Sequence, residues 1–176
     1  MKTTISAFFT VVSIAAATTV AADGLQFRAV LTGAEEVPVP VVTDTSGVAT
    51  FTVSDDGQRI DFRLELENAD RIIAGPGAHL HCAPFGANGP VSVFLAGGLP
   101  VGWSGDVTVE ATFDDGNILN PSCGATIDEL IDSMFAGQLY VNVHSAANPA
   151  GEVRGQVEFD EDDEDDEDDE DDEDDD

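Results

Sequence analysis

The stretch "RIDFRLELEN", Arg59 to Asn68, alternates apolar and charged residues without a break, and that period of two is the strongest constraint on the fold. Successive side chains of an extended chain face opposite ways, so Ile60, Phe62, Leu64 and Leu66 share one face while Asp61, Arg63, Glu65 and Glu67 share the other. A helical turn of 100° per residue would scatter the same apolar positions around its circumference. The segment is therefore an antiparallel strand with one wet face. Just upstream, "GVATFTVSDDGQ" puts Ala49, Phe51 and Val53 on one face and then makes a Ser-Asp-Asp-Gly turn, so the two segments read as a β-hairpin.

Further strands are expected in "LQFRAVLTG", "GPVSVFLAG", "QLYVNVHS" and "EVRGQVEF", and in "DVTVEATF" with Val107, Val109, Ala111 and Phe113 inward. Short strands broken by Gly, Pro and Asn at this spacing point to an all-β antiparallel sandwich rather than an α/β fold. One short helix, about 126–136, interrupts them. In "TIDELIDSMFAG", Thr126 and Glu129 match a capping box, Ile127, Leu130, Ile131, Met134 and Phe135 form an apolar stripe, and Gly137 suits the C-terminal cap. That helix is expected to plug one end or edge of the sandwich, with Met134 in the packing.

Both ends of the chain separate from this domain. Lys2 precedes an apolar run, Ile5 to Ala17, too short to span a bilayer, and the small residues Val20 and Ala22 suit a signal peptidase. Residues 1–22 read as a secretory signal, which predicts a secreted, extracellular product, or a periplasmic one in a bacterium, and no membrane span. Asp160 to Asp176 is acidic at every position. Such a run buries no apolar area and repels itself, so 160–176 is expected to be a disordered tail, leaving 23–159 as one domain.

Charge excludes one class of partner. The chain carries a net charge of −30; nineteen of its 36 acidic residues precede Asp160 and face only five arginines, a net of about −14 for the domain. Nucleic acid is excluded, because neutralising phosphates needs a basic face. Cations or basic proteins are the expected partners of the tail. Seventeen carboxylates reach roughly 60 Å when extended and lack the glycine and mixed ligands of an EF-hand loop, which predicts a diffuse ion atmosphere rather than a calcium cage. A solubility role for the tail is the alternative.

Cys82 and Cys123 are the two cysteines, and in an exported chain a disulfide between them is the expected state, with thiolate ligation of a metal as the rival. In the loop-entropy account a bridge of that span stabilises by about 4 kcal/mol.

Three motifs, "LTGAEEVPVP", "HLHCAPFGANGPVSVFL" and "LYVNVHSAANPAGEVRGQV", occur in that order at domain-scale spacing. Together they resemble the CHRD domain, a repeat first recognised in chordin and also found as a single secreted module in microbes. The resemblance covers Gln26 to Phe159 and is strongest in the Tyr-Val-Asn-Val-His strand, Asn-Pro turn and Gly-Glu-Val-Arg-Gly run. It implies an immunoglobulin-like, Greek-key β-sandwich with no established catalytic activity. Growth-factor antagonism in chordin is attributed largely to cysteine-rich modules, which this chain lacks, so that role is not carried over.

All three histidines lie in these motifs. On a strand His79 and His81 face the same way, and "YVNVH" puts Tyr140, Asn142 and His144 on one face with Val141 and Val143 in the core. If the strands are neighbours, three imidazoles converge on a site suited to copper or zinc with one position open. The alternative is a set of histidines hydrogen-bonded to Asn142 or Glu152 that hold a loop in place. Arg154, alone in an apolar, glycine-flanked strand, is expected to pair with Glu35 or Glu36 as a structural ion pair. No nucleophile elbow or phosphate-binding loop occurs, and a dinuclear copper–zinc site needs more histidines than three. The expected function is a secreted, non-enzymatic binding module with a transition metal on its histidines. A mononuclear copper-dependent oxidoreductase or copper carrier and an extracellular structural or surface-attachment protein are the alternatives.

Overall fold

The alternating segments form two antiparallel sheets. A computed structural model describes residues 24–73, 76–97 and 102–160. The strands in chain order are β1 (Gln26–Leu31), β2 (Ser46–Val53), β3 (Ile60–Ile72), β4 (Pro76–Cys82), β5 (Val91–Gly97), β6 (Trp103–Phe113), β7 (Leu139–Val143), β8 (Val153–Gln156) and β9 (Glu158–Phe159), with the helix α1 (Ile127–Phe135) before β7. One sheet has the order β6-β3-β2-β1-β9 and the other β5-β4-β7-β8. The all-β sandwich expected from the sequence is the fold observed. The expected export signal over 1–22 and the acidic run from Glu161 lie outside the described residues.

The β2–β3 hairpin keeps its predicted faces. Ala49, Phe51 and Val53 pair in register with Leu64, Phe62 and Ile60, and all six are buried. The second sheet answers with Leu80, Val93, Leu139, Val141, Val143 and Val153, each without solvent exposure. Each such side chain contributes roughly 1.5–3 kcal/mol on burial. Strand β6 departs from expectation: Phe113 is buried, Val107 and Val109 are half-buried, and Ala111 is exposed. Among the described strands β6 borders its sheet and pairs with β3 alone, so the core thins out beneath it.

The helix starts where predicted. Thr126 Oγ1 accepts from the Glu129 amide at 3.4 Å, and Glu129 Oε2 reaches back to the Ala125 amide at 2.7 Å, one residue beyond the expected capping-box partner. Ile127, Leu130 and Met134 are buried. Phe135, at the end of the stripe, stays 54 % exposed but sets its ring edge-on to Phe27. Gly137 takes a φ of 64°, the left-handed conformation that terminates a helix.

Two features join the sheets around the functional layer. Strand β3 bulges at Asn68 and Arg71, both with positive φ, and its last residue, Ile72, bridges to Ser145 just past β7. The expected single strand "EVRGQVEF" divides: β8 pairs with β7 and β9 with β1, while Arg154 and Thr32 exchange backbone hydrogen bonds between the sheets. Gly155 permits that closure, since a Cβ there would lie 2.2 Å from the Val30 carbonyl oxygen.

Candidate metal centre

The outer face of the β5-β4-β7-β8 sheet should be wet, yet it is largely buried. Leu80, Val141, Val143 and Val153 turn into the core, so the alternate positions His79, His81, Tyr140, Asn142, Arg154 and Gln156 turn outward. The ladder sets His79 opposite Asn142, His81 opposite Tyr140, and Asn142 opposite Arg154. Two segments cover this polar layer: the loop 83–90 between β4 and β5, and the segment following β1 that carries Glu36.

The three histidines converge. Backbone bonds to Ile73 and Gly77 fix the main chain of His144 at the end of β7, beside the start of β4. His79 Nδ1 lies 3.2 Å from His144 Nε2, and one ligand atom from each of His79, His81 and His144 falls within 4.8 Å of the other two. His79 is 4 % exposed and the edge of its ring meets Phe94 at 4.8 Å between centroids.

Hydrogen bonding assigns the tautomers. His81 Nδ1 donates to the Gly89 carbonyl at 3.0 Å, and His144 Nδ1 donates to the Pro149 carbonyl at 3.2 Å. Each leaves an Nε2 lone pair for another partner, the arrangement by which carbonyls orient metal-binding imidazoles. His81 Nε2 is buried and has no hydrogen-bond partner, as does His79 Nε2. Gly89 reaches His81 only because it lacks a side chain: a Cβ would sit 1.8 Å from the Cys82 carbonyl oxygen. Expected partners Asn142 and Glu152 do not serve the histidines. Glu152 accepts instead from Thr43, from Ser145 at 2.5 Å and from Asn148 at 2.6 Å, bracing the turn that carries Pro149.

Electrostatics keep the imidazoles neutral. Burial, followed by the neighbouring His144 and His81, pushes His79 down from 6.5 to about 4. Burial also lowers His81, with Arg154 adding to the effect, and lowers His144, with His81 adding. A neutral imidazole is the form that ligates a metal.

Arg154 behaves differently from expectation. Its Nη2 donates to the Ala87 carbonyl at 2.8 Å and its Nη1 to Asn88 Oδ1 at 3.0 Å, while the guanidinium lies 3.5 Å from the centre of the Tyr140 ring. Tyr140 in turn stacks on His81, with planes 11° apart. Among the described residues, no direct ion pair joins Arg154 to Glu35 or Glu36. The guanidinium is turned to the loop acceptors at Ala87 and Asn88, and Asn142, the ladder neighbour of Arg154, takes Glu36 at 3.3 Å. Glu36 is buried, its Oε1 has no partner, and burial pushes its carboxyl from 4.5 up to about 7 although Arg154 and Asn142 pull it down. Glu35 lies apart, in the wall of an outer groove.

The cysteines form the Cys82–Cys123 disulfide, with Cα atoms 5.5 Å apart. Neither sulfur is left for a metal. The bridge ties the residue after His81 to the turn before α1, and Ser133 Oγ on the helix donates to the Cys123 carbonyl at 2.7 Å. Sequence reasoning found the three histidines but missed the Arg154–Tyr140–His81 stack and the loop it pins. The shared face of Tyr140, Asn142 and His144 was the available signal.

No helix among the described residues is long and apolar enough to cross a membrane. No curated protein matches the chain. The family model of the CHRD domain matches residues 27–157, from the first inward phenylalanine of β1 to the residue between β8 and β9. That match spans both sheets, all three histidines and both cysteines, and the chain belongs to the CHRD domain family.

Proposed function

We propose that this chain is a secreted, non-enzymatic binding module that holds one copper or zinc ion on His79, His81 and His144, with its acidic tail attracting cations or basic proteins. The observation that carries the reading is the convergence of three imidazoles, one nitrogen from each within 4.8 Å of the other two, with His81 Nε2 buried and unpartnered and the His144 tautomer already set. Two nitrogens at about 2.05 Å from a tetrahedral ion lie about 3.3 Å apart. The His79–His144 separation of 3.2 Å fits that bite. The wider separations within the trio imply that loading draws the rings inward. Three neutral donors leave a fourth position for water or a small ligand, and the disulfide together with the CHRD assignment supports an extracellular setting.

Metal analysis of the purified chain and of its His81→Ala variant tests this. One equivalent in the native chain, lost in the variant and accompanied by no redox turnover, is the expected result. Redox turnover that depends on the metal would favour the copper oxidoreductase. Metal content unaffected by the substitution would reject the histidine site.

A further inference from the structure

We propose that the groove between β1, β9 and the loop 83–90 seats a lysine- or arginine-rich polypeptide that inserts one large apolar side chain. This inference rests on the binding-module reading and names a partner for it, but it is independent of the metal. The groove encloses about 470 Å³ and is lined in part by Arg28, Val30, Glu35, Phe85, Glu158 and Phe159. Three of these are large apolar side chains left open to solvent: Phe85 is 70 % exposed, Val30 53 % and Phe159 43 %.

Their exposure is combined with rigid support. The loop that carries Phe85 is bonded at Ala83 by Gln156, at Ala87 and Asn88 by Arg154, and at Gly89 by His81 and Tyr140, while Asn88 Nδ2 donates to the Val37 carbonyl. The Phe159 ring packs against Phe27 and Phe135 at 5.8 and 5.4 Å. An aromatic already held in place gives up little conformational freedom when a partner covers it, which is the character of an interface anchor.

Charge selects the occupant. Glu35, Glu158 and Asp160 edge the groove, and its one lining cation, Arg28, stands opposite Glu158 across the β1–β9 pair. The Asp160 amide donates to the Gln26 carbonyl at 3.1 Å, which fixes the root of the tail at this groove, and every one of the residues 161–176 that follow is Asp or Glu. A partner seated there meets a dense run of negative charge covalently joined to the apolar floor. A second copy of this chain brings its own charge of −30 and is repelled. A cationic segment is drawn in by the tail and discriminated by the floor.

Fluorescence anisotropy with two labelled synthetic peptides on the full chain tests this. One peptide alternates lysine and serine with a single central tryptophan; the other carries serine in its place. The tryptophan peptide is expected to bind about tenfold more tightly, and Phe85→Ala, at an exposed position, is expected to erase that preference while leaving the serine peptide unchanged. His144→Ala, which removes a proposed metal ligand and lines no part of the groove, is expected to leave peptide binding unaltered, so failure of the metal site and failure of the groove are read separately. Equal affinity for the two peptides, or a preference that survives Phe85→Ala, overturns the proposal in favour of a tail acting as a bare polyelectrolyte. A dimer detected by sedimentation without peptide and abolished by Phe85→Ala overturns it in favour of self-association.

Discussion

Replacing Glu36 by Gln should stabilise the protein, and only at high pH. Glu36 is 7 % exposed, accepts one 3.3 Å hydrogen bond from Asn142 and leaves its other oxygen bare. Burial is the largest influence on its carboxyl, Glu152 nearby opposes ionisation, and the group rises from 4.5 to about 7. The folded chain thus keeps a proton that the unfolded chain surrenders. Stabilisation from this group is complete below 4.5 and is lost as pH rises through about 7. A shift of that size corresponds to roughly 3 kcal/mol, and screening by nearby solvent reduces it to about 2 kcal/mol. Glutamine is neutral throughout and keeps the acceptor oxygen for Asn142. Urea unfolding of both proteins from about pH 4.5 to about pH 8.5 isolates the group, because the histidines and the tail titrate alike in each. Their stabilities should coincide at the acid end and diverge by about 2 kcal/mol at the alkaline end, roughly a 1 M shift in urea midpoint. A difference that does not change with pH would refute the burial argument.

Other perturbations separate the remaining contributions. The paired variant Cys82→Ser/Cys123→Ser should lose about 4 kcal/mol of unfolding free energy in denaturant titration, from the loop the bridge closes. Arg154→Ala leaves Ala87 and Asn88 without their buried donor; a loss of about 3 kcal/mol and faster proteolysis within 84–90 should accompany it, with Arg154→Lys recovering little because a single ammonium cannot serve both acceptors and the ring. Relative to His79→Gln, the native chain should lose about 2 kcal/mol, after discounting for solvent, as pH drops from 6.5 towards about 4 in acid titrations of unfolding, since the unfolded chain takes up a proton that buried His79 refuses; titrating both proteins cancels the contributions of Glu36, His81 and His144.

The hairpin from Ser46 to Ile72 was legible because its two faces see different solvents, so each position declares its side. Strand β6 was less so. Its alternation is real, but how deeply Ala111 is covered depends on what lies beyond the border of the sheet, and no local pattern encodes that. The histidine convergence was legible once β4 and β7 were neighbours, because strand parity alone puts His79, His81 and His144 on one face. Parity could not reveal that this outer face is roofed by the loop 83–90. That roof depends on Arg154, whose neighbours were misjudged: charge complementarity nominated Glu35 or Glu36, but in a covered layer the nearest oxygens win, and the Glu36 carboxylate goes to Asn142 instead. The assignment of Nε2 as the nitrogen that keeps its lone pair on His81 and His144 rests on the Gly89 and Pro149 carbonyls, whose positions follow from turns that sequence spacing does not specify.

The claim that three imidazoles form one metal site is tested most directly by zinc X-ray absorption on the full chain loaded with one equivalent. About three imidazole nitrogens near 2.0 Å from the ion are expected, with at least one lost in His144→Ala. A shell of oxygens alone, unchanged by that substitution, would place the metal on carboxylates and contradict the assignment.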